Sequence, residues 1–335
     1  MTNKMSKIVV IGSCCTDMFF YTSVLPNPGQ TIHGKQFSLD FGGKGANQCI
    51  AAQKLGADTV FIGCVGTDIF GKDIINNFEK WGVDTQFITK KSVDTGVAQI
   101  NVTDNVTNNI IIVIISSSEN CIIIVAGANG TLQKEDVDKA HDLLLNETSV
   151  VLFQFETPLE TTEFILNKLS SANSCKIVNG APAYSNSYQN ILKLADIFCV
   201  NESEAEIYTN CIKKVDSIES ANEVLSLLLN QGCKIVIITL GSLGAVFASK
   251  DEPKPQWVKV PKIENPIDTS GAGDAFLGSL AYFIVHTPNL SLYEQIKRAC
   301  LIATKTVQFK GTQKKQENKL YLQFSIKISI PIEID

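Results

Sequence analysis

Residues 268–285 read DTSGAGDAFLGSLAYFIV: two aspartates flank a run of very small residues, and an apolar stretch long enough for a buried helix follows. The glycines let the backbone approach a ligand closely and adopt positive φ. The unpaired N–H groups of the helix's first turn, together with the positive end of its dipole, favour an anion above them. Asp274 then stands beside that anion, where a permanent negative charge costs energy unless it has a task. Taking a proton from an attacking hydroxyl is such a task. A glycine-rich turn closed by a capping Asp fits the same residues.

Composition narrows the setting. The chain has 335 residues, 44% hydrophobic and 19% charged, enough for a substantial core and a smaller appendage. A net charge of −5 argues against nucleic acid as a partner, because that affinity rests on neutralising phosphates. The ten cysteines include no C-x-x-C pair, and with only three histidines no zinc constellation of familiar spacing forms. Unpaired thiols at this density suit a reducing compartment. The opening KIVVIG reads as a first buried strand, too short for a signal-peptide core, and no apolar run reaches membrane-spanning length. The expectation is a soluble cytoplasmic protein.

Short β-branched runs recur at 7–12, 58–66, 149–154, 175–180, 196–201 and 234–241, most flanked by stretches of helical period such as DIINNFEKWG and ESANEVLSLLLNQG. That alternation predicts an α/β fold: a parallel-dominated central sheet with helices on both faces. Residues 14–41 and 96–126 break it with strand-like patterns and no helix. They predict a small accessory sheet, placed as a lid over the carboxyl ends of the main strands, where ligands of such sheets bind. A lid that excludes water suits transfer of a group that water would otherwise intercept.

Several stretches compete as phosphate-binding devices. Gly66 to Lys72 fits most of a P-loop, but Asp73 stands where a magnesium-binding hydroxyl belongs and would face phosphate with like charge. FGGKGAN (41–47) lacks dinucleotide-fingerprint spacing, which argues against a nicotinamide cofactor. It offers Gly42, Gly43 and Lys44 instead, with Asn47 opening an amphipathic helix: good partners for a polyhydroxylated ligand. In NESEAE (201–206), Asn201 and Glu204 fit a capping box, and equally a water-mediated magnesium–phosphate site. ITLGSLG (238–244) reads as a strand running into a glycine turn, suited to lie along a nucleotide.

In this order and at these separations the motifs resemble the ribokinase (phosphofructokinase-B type) family of sugar kinases over about residues 7 to 313. GGKGANQCIAAQKLGA with GCVG, and DTSGAGDAFLGSLA, are the specific signatures; GSCCTD, PNPGQTIHG, VAGAN, NESEAE, ITLGSLG and KGTQ support them. The resemblance implies one ribokinase-like domain across 1–335 and ATP-dependent phosphorylation of D-ribose at its 5-hydroxyl; the alternatives are a kinase for another sugar or nucleoside, and a catalytically weak sugar- or nucleotide-binding protein. It implies Asp274 as the base, with Gly271, Ala272 and Gly273 as the anion hole for the migrating phosphoryl group. Asp17, Gly42, Gly43, Lys44, Asn47 and Glu156 would hold the sugar, Lys44 and Glu156 also ordering the lid. Asn201, Thr239, Gly241, Ser242, Gly244 and Gly273 would bind the nucleotide, with Asn201 and Glu204 organising Mg2+ indirectly. Asp268, Ser270 and Gly311 would form a monovalent-cation site, usually for K+, and the lid would pair two copies into a homodimer.

The chain departs from the family pattern in places. Asn179-Gly180-Ala181-Pro182 replaces Asn-Pro-Ala-Pro and loses a rigid turn, and the lid carries an insertion near 110–121. Lys314-Lys315 follow KGTQ where a small Ser is usual, so a Lys315 ammonium there would substitute for the cation or repel it. Cys300 stands where a residue contacting adenine is expected, and the tail 316–335 is atypical.

Overall fold

The computed structural model describes residues 6–103, 121–184, 189–210 and 212–313. Most of the insertion near 110–121, Lys314, Lys315 and the tail 316–335 lie outside the described residues. The strands are β1 (Lys7–Ile11), β2 (Cys15–Thr22), β3 (Gln36–Gly42), β4 (Asp58–Gly66), β5 (Asp84–Lys91), β6 (Val97–Thr103) and β7 (Cys121–Val125). They continue with β8 (Thr148–Phe153), β9 (Cys175–Asn179), β10 (Ile197–Asn201), β11 (Ile235–Thr239), β12 (Ala245–Ser249) and β13 (Gln256–Val258).

Nine strands form the main sheet in the order β13-β12-β11-β10-β9-β8-β1-β4-β5. Pairing is parallel from β11 to β5, while β12 and β13 add antiparallel at one edge. Each apolar strand is buried on both faces, as alternation along β1 shows. Val9 and Ile11 face one apolar cluster, with the helices Leu159–Lys168 and Ile218–Asn230. Ile8 and Val10 face the other, with Lys44–Lys54, Ile69–Trp81, Ala272–His286 and Leu292–Thr306. This two-faced burial is why the strands read as near-continuous β-branched runs.

The second sheet, β3-β2-β6-β7, is built from the two segments that broke the alternation. Its strands leave the carboxyl end of the main sheet at Cys14, whose amide donates to Asn129 Oδ1 (3.0 Å) and whose carbonyl accepts from Asn129 Nδ2 (2.8 Å). One buried amide thus pins the hinge of the lid on both sides. It exposes Phe37, Leu39 and, on its edge strand β7, Ile122 to Val125.

Two local expectations change. The helix near 44–54 opens at Lys44, not Asn47, because Gly43 takes φ +88° and turns the chain three residues earlier. It is buried nearly all round, Asn47 and Gln48 included, because it is packed between the sheet and the Ala272–His286 helix. At Asn179-Gly180-Ala181 the turn is held without the usual proline: Gly180 N and Asn179 Nδ2 both donate to Cys199 O, and Phe155 N donates to Ala181 O. A Cβ on Gly180 would stand 2.6 Å from the Phe198 ring.

Among the described residues, eight cysteines are free thiols, no helix is long and apolar enough to cross a membrane, and no three His, Cys, Asp or Glu side chains gather as a metal cluster.

Candidate active site

The P-loop-like segment is excluded by its own chemistry. Asp68 caps the Ile69–Trp81 helix, accepting from Gly71 N (2.8 Å) and from Thr95 N (2.7 Å) and Oγ1 (2.6 Å). A carboxylate already fills the place a phosphate would take.

The other glycine-led helix start is different. Gly271 adopts φ +70° and begins the Ala272–His286 helix without any side-chain cap. Asp274, in the first turn, does not cap it either; its carboxylate turns to the neighbouring helix. Oδ2 accepts from Asn47 Nδ2 and Oδ1 from Gln48 Nε2, each at 3.0 Å. The two helices come this close because Gly278, one turn further on, has no side chain: a Cβ there would lie 2.4 Å from Gln48 O. Burial pushes the Asp274 pKa above the usual carboxylate range. Lys44, Asn47 and Gln48 pull it down, and Glu156 adds to the rise.

Two cavities meet at this point. The first, about 220 Å³, is mainly apolar, walled by Val260, Ile263, Phe276, Cys300, Ala303 and Val307. The second, about 170 Å³, is polar, with Lys44, Asn179, Asn201, Glu204 and Asp274 among its lining residues. Thr239, Thr269, Ala272 and Gly273 line both. Gly241, Ser242 and Gly244 border only the apolar one, and Gly271 only the polar one. Ala272 and Gly273, two of the three residues expected to form an anion hole, are therefore part of the wall between an apolar cavity and a charged one.

Lys44 loses some basicity to burial, but Asp274, Glu156 and Glu204 outweigh this and raise its pKa. It remains an ammonium in a chamber of carboxylates. Glu156 accepts from Lys44 N (2.9 Å) and from the Ser13 hydroxyl, tying the Gly43 turn to the strand that enters the lid. Asp17, on β2, lies under Gly42, and its carboxylate accepts from Cys15 Sγ at 3.3 Å. Burial raises its pKa to about 7 against that thiol hydrogen bond, with Asp40, Glu156 and Asp274 adding repulsion.

Asn201 and Glu204 cap the Glu202–Tyr208 helix reciprocally: Glu204 N donates to Asn201 Oδ1 and Asn201 N to Glu204 Oε2, both at 2.9 Å. Both also line the polar cavity, so the capping and ligand-facing readings coexist. Burial raises the Glu204 pKa, its hydrogen bond from Asn201 N notwithstanding. Asp268 joins the predicted cation-site residues: its carboxylate accepts from Ser270 N (2.9 Å) and Gly311 N (2.8 Å).

Residue patterns missed the amides behind Asp274, namely Gln48, Gln154, Gln313 and Asn77, and also Ser13 and Asn129. Gln48 and Gln313 sit inside GGKGANQ and KGTQ, so the motif strings held a signal that spacing alone did not decode.

A buried carboxylate at a glycine-led helix start, in a polar chamber that shares a wall with an apolar cavity, defines a phosphotransferase site of the sugar-kinase kind. The chain matches the pfkB family of carbohydrate kinases over residues 5–319 and belongs to that family. It is 39% identical to the ribokinase of Mus musculus over 307 residues, covering 91% of this chain and 90% of that one. It is 35% identical to the deoxyribokinase of Salmonella typhimurium over 308 residues, covering 91% and 94% respectively. A solved structure of Arabidopsis thaliana ribokinase complexed with ribose and ATP matches with a TM-score of 0.84 at 26% identity, over 97% of this chain and 99% of that one.

Proposed function

We propose that this carbohydrate kinase transfers the terminal phosphoryl group of ATP to the 5-hydroxyl of D-ribose, giving ribose 5-phosphate. The observation that carries the reading is the position of Asp274, buried in the wall of the polar cavity one residue from the Gly273 boundary with the apolar one and held by two amide donors. Adenine suits the apolar slot beside Cys300 and Ala303, and the sugar lies toward Asp17, Gly42, Gly43, Lys44 and Asn47. Asp274 takes the hydroxyl proton as the sugar oxygen attacks phosphorus and ADP leaves. The N–H groups of Gly271, Ala272 and Gly273 receive the charge that develops on the migrating group. Lys44 faces the same charge from the opposite wall.

Asn201 and Glu204 fit an indirect Mg2+ site, since the capping pair uses only one Glu204 oxygen and magnesium keeps several waters. The ion would neutralise phosphate charge. A monovalent cation held near Asp268, Ser270 and Gly311 would support the anion hole electrostatically. The exposed apolar surface of the lid supports pairing of two copies through it, which sedimentation at two concentrations tests.

A coupled ADP-release assay with ATP and Mg2+ tests the reading, using ribose, 2-deoxyribose, fructose and adenosine, with and without K+. Ribose-dependent release is expected, and Asp274→Asn lowers kcat by about 10²–10⁴-fold with ribose binding kept. Undiminished turnover in that variant removes Asp274 as base. The Salmonella likeness supports deoxyribose as a second acceptor, and a higher kcat/KM for it than for ribose would reassign the substrate.

A further inference from the structure

Behind Asp274 lies a set of side-chain amides, mostly buried, of which the proposed chemistry uses only Asn47. Asn77 Nδ2 donates to Gln313 Oε1 (2.7 Å), Gln313 Nε2 to Asn47 Oδ1 (3.0 Å), and Asn47 Nδ2 to Asp274 Oδ2 (3.0 Å). On the other side Gln154 Nε2 donates to Gln48 Oε1 (2.7 Å), and Gln48 Nε2 to Asp274 Oδ1 (3.0 Å) and to Asn179 Oδ1 (3.2 Å), which holds Gln48 in the same sense. Gln48, Gln154 and Gln313 are buried, and Asn77 is half-buried on the Ile69–Trp81 helix. Lys54 Nζ holds the Gln313 carbonyl, fixing that residue's backbone.

A carboxamide is a donor at one end and an acceptor at the other, so a row of them has a direction. Both rows point the same way, with N–H toward the carboxylate. The direction is imposed at a cost: Gln154 Oε1 is buried with no hydrogen-bond partner among the described residues, while its Nε2 serves Gln48. Turning that amide round would set its oxygen against Gln48 Oε1.

We infer that Asn77, Gln313 and Gln154 are positioning residues for the kinase reaction: through two directed amide rows they force Asn47 and Gln48 to present N–H groups to Asp274, aligning its carboxylate and keeping it ionised. The inference rests on the proposed role of Asp274 as base. The charged groups facing Asp274 are Lys44 from the Lys44–Lys54 helix, Asp17 from β2, Glu156 after β8 and Glu204 from the Glu202–Tyr208 helix. None of them belongs to either row; Asn77→Asp and Gln313→Glu add a carboxylate of their own, and Asn76→Asp, exposed on the same helix and outside the rows, controls for that charge by shifting the acid limb less than either.

The test reverses a row without touching the cavities. In Asn77→Asp the new carboxylate only accepts, so Gln313 turns its Nε2 toward it and its oxygen toward Asn47. Asn47 then turns its own oxygen toward Asp274. Gln313→Glu reverses the row one step nearer the base. Asp274 must be ionised to act, so losing a donor and gaining a facing oxygen moves the acid limb of the kcat profile to higher pH. We expect a shift of about one pH unit in both variants, with kcat at pH 7 roughly 10–100-fold lower and sugar KM raised as well, because the turned Asn47 amide also faces the sugar. Asn77→Leu breaks the row without reversing it and gives a smaller shift.

Acid limbs in Asn77→Asp and Gln313→Glu that superimpose on the parent's, whatever their melting temperatures, overturn the inference. If they superimpose while Asp274→Asn is inactive, the base stands and the rows fall. If Asp274→Asn turns over normally, the base itself falls.

Discussion

Gly42 lies directly over Asp17: a Cβ built on Gly42 would come within 2.3 Å of both carboxylate oxygens. Contacts that short are never tolerated, so any side chain at 42 displaces the Asp17 carboxylate. Gly42→Ala therefore raises sugar KM by about tenfold or more, while the nucleotide KM, set at the apolar cavity that neither Gly42 nor Asp17 lines, stays within about twofold. Steady-state kinetics with each substrate varied in turn separates the two. A sugar KM that does not move detaches Asp17 from the sugar.

The pH dependence of sugar binding follows from the same carboxylate. Asp17 is raised to about 7, chiefly by burial, from an ordinary 3.8. Sugar hydroxyls donate to the ionised form, so binding releases a proton below pH 7, and affinity is about tenfold weaker at pH 6 than at pH 8. Calorimetric titration in buffers of different ionisation enthalpy measures both quantities. Stability runs the other way. Between 3.8 and 7 the folded chain binds more protons at this site than the unfolded one, so its contribution falls as pH rises through that window. Above pH 7 the cost of the buried charge is fully present. Asp17→Asn should accordingly raise the melting temperature at pH 8 by roughly 2 °C while weakening the sugar.

Most of the sheet was legible because its strands are buried on both faces and so read as short β-branched runs. Asp84–Lys91 was not, since DTQFITKK is an edge strand with polar alternation. Nor were β12 and β13, whose five and three residues carry too little pattern to mark an antiparallel turn-back. The site was legible where the chemistry is local: glycines beside Asp274, a capping pair at Asn201 and Glu204, Lys44 after two glycines. The amide rows were not, because Asn47 and Gln313 are 266 positions apart. Amides carry no charge or metal-ligand spacing to single them out. Only packing of the Lys44–Lys54 and Ala272–His286 helices at Gly278 brings the motifs together.

Asp268 joins the loop that leads into the Ala272–His286 helix to the one around Gly311, through Ser270 N and Gly311 N. Asp268→Ala leaves two half-buried donors without their acceptor, each worth about 1–3 kcal/mol when desolvated, and frees the 269–273 turn from the 308–313 segment. Expected are a lower melting temperature, kcat reduced by about 10–100-fold and loss of any stimulation by K+. Titrating K+ against both proteins tests the last point. A variant that keeps the parent's K+ response removes Asp268 from the cation site.

Gly271 and Gly273 flank a single residue and are constrained by different things. Gly271 holds φ +70°, and a Cβ on it would press on Thr312 Cγ2 at 3.1 Å. Gly271→Ala therefore destabilises the fold by about 1–2 kcal/mol. A Cβ on Gly273 meets nothing within 4 Å, and the residue is helical, so Gly273→Ala leaves the melting temperature unchanged or slightly raised. Yet Gly273 lines both cavities, and the proposed function takes the migrating phosphoryl group past its backbone N–H. The added methyl holds phosphate off those donors, and kcat falls by about 10²-fold, the scale of losing one such donor. Thermal melts and turnover on the same two proteins decide it: a fully active Gly273→Ala would mean that the phosphoryl path does not cross the start of this helix.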